Sequence, residues 1–183
     1  MDDPPEEAYG RVTNPERFTP LIPAAEELIS DLARRFDVTI ARDPASPSKS
    51  KTIATLESVR ITPVHPDQAP LTITFTSFPG LYLDVGAWQH IALPSCGCDA
   101  CGEDAEDAIR ELAEYKEALT AGQLSERITG NLRPMLEHSW KGNGWGRSGN
   151  TPLSKERAAE LRAGPVQPPA DGRWKPWSTT VPS

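Results

Sequence analysis

The pattern that most restricts the fold is the strict alternation of apolar and polar residues in LTITFT, residues 71–76. Successive side chains of a β-strand point to opposite faces, so this alternation predicts a strand with one buried and one solvated face. LYLDV, residues 81–85, repeats the pattern after a Pro79-Gly80 turn. Residues 71–85 are therefore predicted to form a hairpin in an antiparallel sheet.

Two longer segments have apolar residues at helical spacing, and each is predicted to be an amphipathic helix. The first is AAEELISDLARRF, beginning at Ala24, and the second runs from about Asp104 to Thr120. The segments VTIAR and SVRITPV alternate and predict further strands, and LSERITGNLRPMLEHSW is compatible with two more strands joined near Gly130. This order predicts an α+β fold with two layers, in which an antiparallel sheet of about four to six strands carries both long helices on one face.

Composition divides the chain into three parts. Residues 1–20 are predicted to be an N-terminal arm with a short capped turn, residues 21–140 a single α+β domain, and residues 141–183 a Gly/Pro-rich C-terminal tail with one short helix. PASPSKSKTIA, residues 44–54, is predicted to be a polar linker. The glycine-rich GNGWGRSGN, residues 142–150, lacks the lysine and serine of a phosphate-binding loop and is predicted to be a flexible loop.

Charge separates the tail from the rest of the chain. Residues 1–138 contain 12 basic and 23 acidic residues, whereas residues 139–183 contain seven basic and three acidic ones. The acidic body argues against nucleic acid as a partner, because phosphate binding needs a concentrated basic face. MDDPPEEAYG does not resemble a secretory signal, no apolar run is long enough to cross a membrane, and the cysteine count is odd. These features predict a cytoplasmic protein.

All three cysteines lie in PSCGCDACGED, residues 94–104. Cys98 and Cys101 have the two-residue spacer that lets both sulfur atoms reach one zinc ion, and Cys96 adds a third thiolate. A structural zinc site requires four ligands. His90 is the nearest nitrogen donor and is predicted to be the fourth ligand, with Asp99, Glu103 and His138 as further choices.

The same cysteines permit two other interpretations. Cys98 and Cys101 form a CxxC motif ahead of a helix, whose dipole lowers a thiol pKa and favours thiol–disulfide or peroxide chemistry. The acidic residues around the motif would oppose a thiolate electrostatically, and redox CxxC motifs usually follow a parallel strand rather than antiparallel ones. Alternatively, the cysteines only pack as small apolar residues, with Gly97 and Gly102 permitting tight turns.

The C-terminal segment RWKPWS contains Trp174 and Trp177. Two large apolar rings are unfavourable in water, so this segment is predicted to dock, either on its own domain or on a protein partner. The Lys175-Pro176 spacer favours an extended conformation between the rings.

The sequence contains no GxSxG, HExxH, P-loop or GxGxxG motif. It therefore predicts a non-catalytic cytoplasmic binding or adaptor domain with a cysteine-rich turn that takes zinc. The alternative function is a thiol–disulfide oxidoreductase, or a peroxide-reactive protein, that uses Cys98 and Cys101.

Four segments together resemble a known family. AYGRVTNPERFTPL, FPGLYLDVG, PSCGCDACGED and the Trp-rich C-terminus occur in the order found in a bacterial domain-of-unknown-function family, family 6226. The CGCDAC segment is the most distinctive of them. The resemblance covers most of the chain and implies one self-contained domain, and it brings no activity with it.

Overall fold

A computed structural model describes residues 9–46 and 53–180. Residues 1–8 of the predicted N-terminal arm, residues 47–52 of the predicted polar linker and residues 181–183 lie outside the described part. The main sheet has five antiparallel strands in chain order: β1 (Val38–Pro44), β2 (Thr55–Pro63), β3 (Leu71–Thr76), β4 (Leu81–Val85) and β5 (Gln89–Leu93). The predicted hairpin is confirmed, because β3 pairs with β4.

Two long helices pack against the apolar face of this sheet. They are α1 (Leu21–Arg35) and α2 (Ala105–Thr120), and their buried residues belong to one core cluster with the inward residues of β2 to β5. The predicted α+β class is therefore confirmed. Helix α1 begins three residues earlier than its apolar pattern suggests, and Pro23 is accommodated because the first turn of a helix needs no backbone donor there.

The last strands form a separate, second sheet. It consists of β6 (Leu124–Thr129), β7 (Met135–Lys141) and β8 (Gly146–Pro152), all antiparallel. The first two are the strands expected on either side of Gly130. The third was predicted to be part of a flexible loop, and that prediction is wrong: residues 146–152 pair along the whole of β7. Their side chains are mostly exposed, so backbone hydrogen bonds hold the strand in place. The sequence therefore lacks the alternation of apolar and polar residues from which a strand is predicted.

The C-terminal segment connects both sheets. After helix α3 (Lys155–Arg162), the chain passes the edge of β6, where Trp174 N donates to the carbonyl of Leu124 at 3.2 Å. It then reaches the end of α1, where Asp37 N donates to the carbonyl of Ser178 at 2.8 Å. Trp174 and Trp177 are 2% and 4% exposed and belong to the main core cluster. Within the described ranges, every helix is too short or too polar to cross a bilayer.

Candidate metal centre

The cysteine loop, residues 94–104, connects β5 with α2. The C-terminal end of the loop is fixed by Asp104, whose carboxylate caps α2 by accepting a hydrogen bond from the backbone N–H of Asp107 at 2.9 Å. A carboxylate at this position is favourable because it satisfies a free N–H group and faces the positive end of the helix dipole. The loop therefore leads directly from the last strand of the main sheet into a capped helix.

The three sulfur atoms lie together. All of them are within 4.8 Å of one another, and the sulfur atoms of Cys98 and Cys101 are 3.2 Å apart. Cys98 is 2% exposed, whereas Cys96 and Cys101 are exposed, and all three are free thiols. The cluster thus has one inner and two outer sulfur atoms.

Two glycines make this curvature possible. Gly97 and Gly102 have φ angles of 72° and 62°, a left-handed conformation that is unfavourable for residues with a Cβ atom. A Cβ at Gly97 would lie 3.0 Å from Cζ of Phe78, so this position also requires the absence of a side chain. Gly97 and Gly102, which the sequence predicts to permit tight turns, therefore both adopt a turn conformation.

Residues near the N-terminus hold the loop in place. Arg17, on a 3₁₀ turn formed by Pro15–Phe18, donates to the carbonyl oxygens of Gly97 at 2.9 Å and Glu103 at 3.2 Å. Asp99 accepts from the backbone N–H of Thr13 at 3.1 Å. These bonds span 80 to 86 residues of sequence, so the loop conformation is fixed from outside as well as by its own turns.

The hydrogen bonds among the sulfur atoms separate their acidities. Hydrogen bonds from Cys96, then Cys101, then the backbone of Gly10 lower the pKa of Cys98 to about 6. Hydrogen bonding to Cys98 and Cys96 raises the pKa of Cys101 to about 12. The inner sulfur therefore becomes a thiolate at a lower pH than Cys101, and its hydrogen bonds to the other two cysteines stabilise it.

The other residues predicted as ligands make different contacts. His90 lies on β5, where its Nδ1 is 2.6 Å from Oδ1 of Asp84, and it is not among the side chains grouped with the sulfur atoms. His138 lies on β7 in the second sheet, and burial lowers its pKa. The carboxylate of Glu103 accepts from the backbone N–H groups of Ser95 and Cys96 at 2.9 and 3.2 Å, and it is not among the side chains grouped with the sulfur atoms.

The cluster has the chemistry of a soft-metal site. Zinc–sulfur bonds of about 2.3 Å in a tetrahedron place sulfur atoms about 3.8 Å apart. Here one pair of sulfur atoms is 3.2 Å apart and all pairs lie within 4.8 Å, so the separations are of the size that such a site requires. Thiolates favour zinc and copper(I) over calcium or magnesium. Three thiolates can therefore hold such an ion, leaving one tetrahedral position for another donor.

The outer sulfur atoms also border a polar cleft of about 540 Å³. This polar cleft is lined by Cys96 and Cys101 together with charged residues of α2 and β8. The α2 side chains include Asp107, Glu111 and Glu114, and Arg147 of β8 is paired with Glu111. The cysteine cluster is thus open to solvent on a predominantly acidic side.

Sequence reasoning missed two residues that organise the structure. Arg17 carries no signal, because a single arginine in a short turn is ordinary. Glu126 does have a recognisable pattern, because it lies between Leu124 and Ile128 on the face of a strand that is otherwise predicted to be apolar. Its carboxylate is fully buried and accepts from the backbone N–H groups of Ala87 and Trp88, each at 2.9 Å.

Comparison with known proteins identifies the family. A family model described as "Family of unknown function (DUF6226)" matches residues 1–181. No curated protein and no solved structure matches the chain. The match covers nearly the whole sequence, including the cysteine loop and the C-terminal tryptophans. The chain therefore belongs to this family of unknown function, DUF6226.

Proposed function

We propose that this protein is a non-catalytic binding domain that holds one zinc ion on Cys96, Cys98 and Cys101. The single observation that carries the proposal is the grouping of three sulfur atoms within 4.8 Å. Three thiol groups this close together are typical of metal ligands. As thiolates they would repel one another, and a divalent ion between them attracts all three.

The organisation of the loop supports this proposal. Arg17 and Glu103 fix the backbone on either side of the cluster by hydrogen bonds to its N–H and C=O groups. Cys98 is buried, and its lowered pKa makes it a thiolate near neutral pH. A site whose ligands are already positioned loses less conformational entropy when it binds an ion.

The ion would join three parts of the molecule. The loop contacts the N-terminal segment through Asp99, continues β5 and leads into α2. We therefore assign the zinc a structural role at this junction. We leave His90 out of the ligand set because its Nδ1 is paired with Asp84.

The odd number of cysteines and the acidic body support a cytoplasmic protein that does not bind nucleic acid. Disulfides persist mainly in oxidising compartments, and thiolate zinc sites require reduced sulfur. The net charge of −7 disfavours phosphate backbones as ligands.

Elemental analysis of protein purified without added metal tests the proposal. We expect about one zinc per chain in the wild type and a large loss in each of Cys96→Ser, Cys98→Ser and Cys101→Ser. His90→Ala is the control and should keep its zinc. Less than about a tenth of an equivalent in the wild type, with all three thiols titratable, would contradict the proposal.

A second candidate function is thiol–disulfide exchange by Cys98 and Cys101. It is favoured by their 3.2 Å separation and by the pKa of about 6 at Cys98. In this reaction the two thiols form a disulfide and pass two electrons and two protons to a substrate disulfide, which becomes two thiols. The exposure of the two thiols argues against thiol–disulfide exchange. The more acidic sulfur, that of Cys98, is buried, and the exposed Cys101 stays protonated.

An insulin-reduction assay separates the two candidates. Turnover that requires both Cys98 and Cys101 but not Cys96 would favour the exchange reaction. Zinc content with no turnover would favour the binding domain.

A further inference from the structure

We propose that an apolar cavity lined by Cys96 binds a small, uncharged, mainly apolar molecule whose donor atom completes the coordination of the metal. This inference rests on the proposed zinc site and names the ligand class for its fourth position. The observation behind it is that Cys96 belongs to the sulfur cluster and also lines this cavity.

The cavity has the size and lining of a small-molecule site. It measures about 610 Å³, within the usual range of roughly 300–1,000 Å³ for ligand pockets. Besides the cysteine loop, its walls include Val12 before the 3₁₀ turn, Ile53 before β2, Phe78 in the β3–β4 turn, and Tyr82 and Ala92 on β4 and β5. Most of its lining is apolar, which favours a ligand with an apolar body.

The charges around the cavity disfavour an anionic ligand, and its mainly apolar lining disfavours burying any charged one. Among the described residues that line it there is no lysine, arginine or histidine, and the one charged side chain is Glu16. A divalent ion held by three thiolates also has a net negative charge. Both features repel an anion, so the donor is a neutral atom such as the unprotonated nitrogen of an aromatic ring.

In the part of the chain that the structure describes, no protein side chain takes the fourth coordination position. The carboxylates closest to the cluster in sequence are occupied, since Asp99 accepts from Thr13 and Glu103 accepts from Ser95 and Cys96. No fourth His, Asp or Glu joins the three sulfur atoms in the described residues 9–46 and 53–180. We infer that a donor held in the cavity beside Cys96 takes this position.

The test uses full-length protein loaded with cobalt(II), whose visible absorption reports the number and type of its ligands. The probe is 1-benzylimidazole at about pH 8, where the ring is neutral. The matched compound is 1-benzylpyrrole, which has the same shape and no donor nitrogen. We expect 1-benzylimidazole to change the cobalt spectrum and to bind about tenfold more tightly than both 1-benzylpyrrole and imidazole itself.

Two variants locate the binding. Ala92→Phe fills the cavity and should weaken 1-benzylimidazole about tenfold, whereas Ala41→Phe makes the same change at an exposed site on β1 and should have no effect. Melting curves establish that each variant is folded, and Ala92→Leu replaces the larger substitution if Ala92→Phe is not.

Each outcome decides a different point. Failure to take up cobalt overturns both this inference and the zinc site. Cobalt uptake with a spectrum that 1-benzylimidazole does not alter overturns this inference alone. Equal binding to wild type and to the folded Ala92 variant places the probe outside the cavity and also overturns it.

Discussion

The indole nitrogen of Trp174 donates a hydrogen bond to Oε2 of Glu126 at 2.8 Å, and both side chains are almost completely buried. The same oxygen accepts from the backbone N–H of Ala87, and the second carboxylate oxygen accepts from that of Trp88. One carboxylate therefore connects the C-terminal segment, the second sheet and the β4–β5 turn of the main sheet. Its loss would leave the buried indole N–H and two partly buried backbone N–H groups without this partner.

We expect Trp174→Ala to lower the free energy of unfolding by about 3–5 kcal/mol, because it removes a large buried ring. Trp174→Phe keeps most of the apolar surface and should cost about 1–3 kcal/mol, the usual effect of losing one buried hydrogen bond. Urea denaturation measures both. Leu132→Ala, at a side chain that is 83% exposed, is the control and should change little. A Trp174→Ala variant as stable as that control would contradict the docked arrangement.

The pH dependence of stability should report on Glu126. Burial raises the pKa of its carboxyl group, and this effect outweighs the hydrogen bonds that favour the ionised form. The folded chain therefore keeps a proton that the unfolded chain has lost above about pH 4.3, so this group's contribution to stability falls as pH rises through the raised pKa.

Glu126→Gln isolates this contribution, because the amide does not ionise. The amide NH₂ would face a backbone or indole N–H, so we expect the variant to be less stable by about 1–3 kcal/mol at low pH. The difference between wild type and variant should become smaller as pH rises. A difference that grows with pH would mean that the carboxyl pKa is lowered instead.

Arg17→Ala should loosen the cysteine loop. It removes donors to the carbonyl oxygens of Gly97 and Glu103, and hydrogen bonds from a charged group each contribute about 1.5–3 kcal/mol. We expect the buried Cys98 thiol to react with a disulfide reagent about tenfold faster. Arg34→Ala removes an exposed arginine from α1 and serves as the control. Unchanged thiol reactivity would show that the loop does not depend on Arg17.

Gly97→Ala and Gly102→Ala form a matched pair. Both place a Cβ atom on a left-handed backbone and should cost about 1–2 kcal/mol for that reason. At Gly97 the Cβ also lies 3.0 Å from the ring of Phe78, whereas nothing lies within 4 Å at Gly102. Thermal unfolding should therefore show a larger effect at Gly97. Equal effects would mean that Phe78 moves freely away.

Several features could be predicted from local sequence because their causes are local. The alternation in residues 71–85 determines a hairpin, since a strand repeats every two residues. The spacing of apolar residues in α1 and α2 determines their inward faces. Three cysteines within six positions lie close together in almost any compact turn, and this proximity is what makes the cluster a candidate site.

Other features depend on contacts between residues far apart in sequence, and only the tertiary structure decided them. His90 is close to the cysteines in sequence and is predicted to be the fourth zinc ligand for that reason. The pairing of β4 with β5 places it beside Asp84. Arg17 reaches the cysteine loop across 80 residues, and β8 is held by backbone pairing that leaves no side-chain pattern. The sequence by itself indicated that Trp174 and Trp177 would dock. Their position, against Glu126 and the carbonyl of Ala69, required the packed core, because burial and hydrogen bonding are decided by which surfaces meet.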